Sequence, residues 1–247
     1  MSAQEEEVRA QVKVVEDKEV ELCIAHLRFL SKFYITVIEN KRAQMNMAHT
    51  QFLANKEDYN AYSEWTGAKL KIIDLYKYWL RELLNISIVD DLRALCMHQM
   101  MAADCYWFLA KMHQPTFHFG HSNYEMACRC MVKILNALFD LLPQHNKFVI
   151  HLVRKYSLIV LDYRKEVGLS SPPVQSASHT STEMHGRDLE ICQSNTSRCR
   201  TYIDKLQGAI MSNTSTYSDI RRQILQLARQ FGMIHRRDGT SMTIDFD

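Results

Sequence analysis

Glycine occurs only seven times and proline only four times in a chain of 247 residues. Average usage would supply roughly three times as many of each. These two residue types set the tight turns that bound strands and fold hairpins. An all-β or α/β fold with many such turns is therefore excluded in practice, and long helices with few breaks remain. The length suits one large domain or two small ones, with a sizeable buried core. A hydrophobic share of 47% beside 23% charged residues describes a globular chain rather than a disordered one. The formal net charge of +2 is too balanced to point to a nucleic-acid partner.

No apolar run reaches the roughly 18 residues that a membrane span needs. The segment Met1 to Glu21 is acidic and has neither the basic nor the apolar region of a secretory signal, which leads us to expect a cytoplasmic protein with no membrane partner. Seven cysteines, an odd number without framework spacing, fit a reducing compartment.

Apolar residues recur at the spacing of one buried helix face along most of the chain. Leu27, Leu30, Phe33, Tyr34, Val37 and Ile38 predict a helix over Leu22 to Met47. Ile73, Tyr76, Leu80 and Leu83 predict one over Tyr62 to Leu84, and another follows from Leu95 to Met112. Ala127, Met131, Ile134, Leu138 and Leu141 mark Tyr124 to Leu142; Val149, Leu152, Val153, Tyr156, Val160 and Tyr163 mark Phe148 to Tyr163. A more polar helix covers Arg187 to Ile210, and Ile220, Ile224, Leu227, Phe231 and Ile234 form a last stripe. The Ser-, Thr- and Pro-rich stretch Gly168 to Gly186 reads as a mobile excursion, and Arg236 to Asp247 as a tail.

Enzymatic signatures are absent from the sequence. There is no Gly-rich phosphate loop, no His-Glu-x-x-His and no nucleophile elbow. His113, His118 and His121 share one loop, but zinc sites usually add Cys or acidic ligands held on rigid elements. The plainer reading is a polar loop. Cys96 and His98 lie two apart on a helix and so face different ways. No catalytic residue, metal or cofactor is assigned.

Several ordered strings resemble the 14-3-3 proteins. Val20-Glu21-Leu22, Leu30-Ser31-Lys32-Phe33-Tyr34, Val37-Ile38 and Lys41-Arg42 resemble that family's third helix with its preceding turn. Met100 to Met112, with Met101, Asp104, Tyr106, Leu109 and Ala110, resembles its fifth. Leu142-Pro143-Gln144-His145, then Leu152 and Tyr156-Ser157, resembles the proline turn and seventh helix. Tyr217-Ser218-Asp219, Ile224 and Gln226-Leu227 resemble the start of the last helix. The likeness covers about residues 8 to 235, so the expected domain is 1–235 with an insertion at about 168–186 and a tail at 236–247. It implies an all-α, antiparallel array of about eight to nine helices around a concave amphipathic groove. It also implies a dimer through the N-terminal helices, and binding of phosphoserine or phosphothreonine segments of client proteins without chemistry.

The departures fall where that binding would occur. The family's groove lysine is here Ile35, while its third-helix arginine is kept as Arg42, beside Lys41. The arginine and tyrosine of the fifth helix are Trp107 and Phe108. The seventh-helix asparagine is Lys155, after Arg154, and Leu158 follows on the same helix; the last-helix asparagine is Gln230. Ile35, Trp107 and Phe108 can give phosphate neither a cation nor a hydroxyl, while Arg154 and Lys155 add two cations. The expected function is a regulatory adaptor with an altered phosphate site, acting as a homodimer or as a heterodimer with a relative. The alternative is a structural or dimerisation partner whose degenerate groove binds no phosphopeptide.

Overall fold

No glycine or proline occurs before Gly67, so nothing in the first quarter of the chain forces a helix to stop. In the computed structural model this stretch forms α1, a single helix from Ala3 to Ala54. At about 1.5 Å per residue it is roughly 78 Å long. The turn expected before Leu22 is absent, because Val20-Glu21-Leu22 offers no breaker to make it. The structure describes residues 3–86, 91–117, 121–139, 141–143, 146–168, 182–211, 218–231 and 233. Within them the other helices are α2 (Tyr59–Leu84), α3 (Leu92–Lys111), α4 (Asn123–Leu138), α5 (Lys147–Glu166), α6 (Thr182–Met211) and α7 (Ser218–Gln230). The described residues thus hold seven helices and no strand, against the eight to nine helices expected. Residues 169–181 and the tail from 234 onward lie outside the described residues, but Thr182 to Gly186, expected in the excursion, are helical. The fourth helix also stops earlier than its stripe suggested. Leu141 and Leu142 donate their backbone N–H groups to Leu138 O in a turn ahead of Pro143.

The chain divides into two compact units, residues 1–137 and 138–247. In the first, α1, α2 and α3 pack on one another. Among the described residues of α1, Ile24, Leu27, Ile38 and Ala48 are buried. α2 buries Ile72, Ile73, Tyr76, Trp79, Leu80 and Leu83, and α3 most of its length, including the small residues Ala94, Ala102, Ala103 and Ala110 that admit close neighbours.

The ends of α3 are fixed by side chain and backbone together. Asp91 caps its start, its carboxylate accepting from the Arg93 and Ala94 N–H groups at 2.8 and 3.0 Å. These N–H bonds, Ala94's foremost, hold the Asp91 carboxyl below its ordinary value of 3.8. At the other end His113 takes a left-handed φ of 54°. His113 N–H bonds to Ala110 O and Gln114 N–H to Leu109 O, the double closure of a Schellman end, with Pro115 just beyond.

The second unit is built on α5, which buries Val149, Ile150, Leu152, Val153, Tyr156, Ser157, Ile159, Val160 and Tyr163. Its polar groups reach α6: the Tyr156 hydroxyl donates to Asn195 Oδ1 and that of Tyr163 to Asp188 Oδ1, each at 2.6 Å. Arg200 of α6 donates to Phe231 O through Nε and Nη2 at 3.1 and 2.9 Å, tying down the end of α7.

Candidate functional site

Of the nine positions singled out in the sequence, four lie around one recess of about 310 Å³ in the first unit. α1 contributes Ile35, Ile38, Glu39 and Arg42. α2 contributes Tyr76, and α3 contributes Asp104, Trp107, Phe108 and Lys111. The spacing explains the convergence. Ile35, Glu39 and Arg42 follow one another at steps of four and three along α1, and Asp104, Phe108 and Lys111 do the same along α3.

The back wall is an aromatic stack. The rings of Tyr76 and Phe108 lie 3.7 Å apart at 10°. The Arg42 guanidinium sits 5.8 and 5.6 Å from their centroids and donates through Nη2 to the Tyr76 hydroxyl. The near-equal distances place the guanidinium beside the stack, at the edges of both rings, where the hydrogen bond to the Tyr76 hydroxyl fixes it. On the neighbouring turn of α3 the Lys111 ammonium lies 4.2 Å from the Trp107 ring centroid. Two cations thus border the recess, and two carboxylates, Glu39 and Asp104, balance them.

The other candidates lie elsewhere. Lys41 donates to Gln44 Oε1 at 3.1 Å and borders a separate hollow against Ser63, Gly67 and Lys71 of α2. Arg154, Lys155 and Leu158 belong to the second unit, on α5, where Arg154 and Leu158 are exposed and Lys155 is half-buried. Gln230 is the exposed last residue of α7. The recess also holds residues that sequence reasoning missed. Glu39 and Lys111 were within reach of it, being one helical turn from Ile35 and Phe108. Tyr76 gave no such signal, since its place in the Ile73–Leu83 stripe marks a core residue.

The loop and cysteine candidates have structural roles. His121 Nδ1 lies 2.9 Å from Glu125 Oε1, which also accepts from Arg129 Nη2 at 2.7 Å. His113 ends α3, and His118 lies outside the described residues. No three His, Cys, Asp or Glu side chains gather as a metal site among the described residues. His98 is buried, and its Nε2–H donates to Leu83 O at 2.7 Å while Nδ1 accepts from Gln99 Nε2 at 3.2 Å. Desolvation lowers its pKa from 6.5 and holds the ring neutral. Desolvation likewise raises the Cys96 thiol, pushes Cys130 up to about 12 and Cys192 up to about 11, leaving protonated, poorly nucleophilic thiols.

Among the described residues no helix is long and apolar enough to cross a membrane. Compared with protein-family models, with curated proteins and with solved structures, the chain matches none of them.

Proposed function

We propose that this chain is a non-enzymatic regulatory adaptor, a divergent relative of the 14-3-3 proteins that holds segments of client proteins in the recess between α1, α2 and α3. The observation that carries the reading is the convergence of Ile35, Arg42, Trp107 and Phe108 on one recess, although the resemblance drew them from stretches some seventy residues apart. Arg42 is the retained anion partner, oriented by Tyr76 and Phe108. Ile35 and Trp107 turn part of the wall apolar, so the recess favours a side chain with an apolar body beside its charge. The protein then works in the cytoplasm, as a homodimer or paired with a relative, on clients that include Ser- or Thr-phosphorylated ones.

A second reading has its own support. Glu39 and Asp104 border the recess and oppose a phosphate dianion, as expected of a structural or dimerisation partner that takes no phosphopeptide.

Fluorescence anisotropy with matched phosphorylated and plain peptide libraries separates the two. Under the adaptor reading Arg42→Ala weakens binding of the selected phosphopeptide by roughly ten-fold or more, the loss of a charge-assisted bond worth about 1.5–3 kcal/mol. Raised salt weakens the wild-type complex as well. Absence of binding to every peptide selects the second reading.

A further inference from the structure

Ile35 is 49% exposed and borders a second hollow besides the recess. This hollow, of about 290 Å³, is walled by Arg28, Ser31, Lys32, Ile35 and Thr36 of α1 and by Met97 of α3. The two hollows share a wall at Ile35 and follow the same pair of helices. On α1 the stripe runs Arg28, Lys32, Ile35, Glu39, Arg42; on α3 it runs Met97, Asp104, Phe108, Lys111. Each stripe spans fifteen residues, whose fourteen rises make about 21 Å of helix. That length matches about six residues of extended chain at roughly 3.3 Å each.

The two ends differ in charge. At the Arg42 end the cations Arg42 and Lys111 face the carboxylates Glu39 and Asp104. At the other end Arg28 and Lys32 are both exposed, and among the described residues no acidic side chain lines the hollow. Its floor is Ile35 and Met97, and the alkyl stems of Arg28 and Lys32 extend that apolar surface. We infer that α1 and α3 form one docking trough for an extended, unphosphorylated acidic segment of a client protein, with its carboxylates on Arg28 and Lys32 and its apolar residues over Ile35, Met97 and the Trp107–Phe108 wall. The inference rests on the client-binding reading above and adds to it the class of segment and the end that reads its charge. Carboxylates go to the Arg28 end because the Arg42 end is already neutralised. A nucleic acid suits the trough poorly, since its floor is apolar and, among the described residues, two cations stand without an acid in the lining.

The test uses the full chain and fluorescein-labelled eight-residue peptides with three Glu at one end and Leu and Phe at the other, made in both sequence orders. Each is matched by a Gln version and by a version with phosphoserine in place of the central Glu. The expected result is at least ten-fold tighter binding of one Glu peptide than of its Gln version. Arg28→Glu with Lys32→Glu removes that preference, whereas Lys56→Gln, at an exposed cation outside both hollows, leaves it unchanged. If charge reversal disturbs α1, as read by circular dichroism, Arg28→Gln with Lys32→Gln carries the same expectation. Equal binding of Glu and Gln peptides overturns the inference, as does indifference to both double variants or equal competition by a single-stranded oligonucleotide. If the phosphoserine peptide binds through Arg42 while the Glu peptide shows no preference, the inference falls and the adaptor reading stands. If no peptide binds, both fall.

Discussion

The first unit carries two aromatic clusters, one with its rings on α1 and α2 and the other with its rings on α2 and α3, and they differ in what they leave open. Near the α1–α2 turn, Trp65 stacks with Phe52 at 5.1 Å and 5° and with His49 at 5.1 Å; Tyr62 meets both Phe52 and Trp65 edge-on. Lys69 lies 6.0 Å from the Trp65 ring. Ten and seventeen residues before Phe52 on α1, at Arg42 and Ile35, the ingredients are similar: a ring stack, a tryptophan and two cations. There, however, α3 supplies a further wall. Two helices bring their rings together into a ridge that fills itself. Three helices leave a recess beside the Tyr76–Phe108 stack, which forms one of its walls. Composition alone does not separate a recess from an aromatic plug; the number of walls does.

The largest expected difference between the clusters is in stability. Tyr76 is 1% exposed and backs the recess, so Tyr76→Ala should cost on the order of 3–5 kcal/mol. Trp65 is half-buried, and Trp65→Ala should cost about 1–2 kcal/mol, mainly its ring pairs. Urea unfolding of both variants checks the order, and a costlier Trp65→Ala would remove the distinction between wall and ridge.

The recess depends on α3, so its cap matters more than that of α2. Asp91 accepts two backbone N–H bonds at the start of α3, while Asp58 accepts one, from Asn60, at the start of α2. Asp91→Ala should cost about 1 kcal/mol and Asp58→Ala less. The sign with pH follows from the lowered Asp91 pKa. The cap contributes fully above about 3.8 and is lost as pH falls through the lower folded value. Wild type and Asp91→Ala should therefore converge in acid; a constant gap down to pH 2 would contradict the cap.

A smaller effect of opposite sign belongs to the far end of α3. Gly168 takes a left-handed φ of 74° after α5, but His113 takes 54° after α3. A side chain there costs energy that glycine does not. His113→Gly should leave stability unchanged or raise it by up to about 1 kcal/mol, read as a shift in Tm.

The sequence made most helices legible because their apolar stripes are regular, as in α2 and α5. It misjudged α1, where a turn was expected from resemblance although residues 3–54 contain neither glycine nor proline. The recess was legible only through residue types out of place for the resemblance: Ile35, Trp107 and Phe108. Tyr76 was hidden because one side chain does two jobs, its ring buried in the core stripe and its hydroxyl turned to Arg42. The paired charges Glu39 and Asp104 were hidden because exposed acids on a helix ordinarily mean only a solvated face.

The three tryptophans provide the most direct test of the proposed client binding. Trp107 lines the recess, Trp65 forms the ridge and Trp79 is buried at 2% exposure. Their indole N–H signals in a proton–nitrogen NMR spectrum, assigned with single Trp→Phe variants, report on the three places separately. On titration with the tightest-binding peptide, the account predicts that the Trp107 signal shifts while those of Trp65 and Trp79 stay in place. A shift confined to Trp65, with Trp107 unmoved, would contradict it and move client binding from the recess to the ridge.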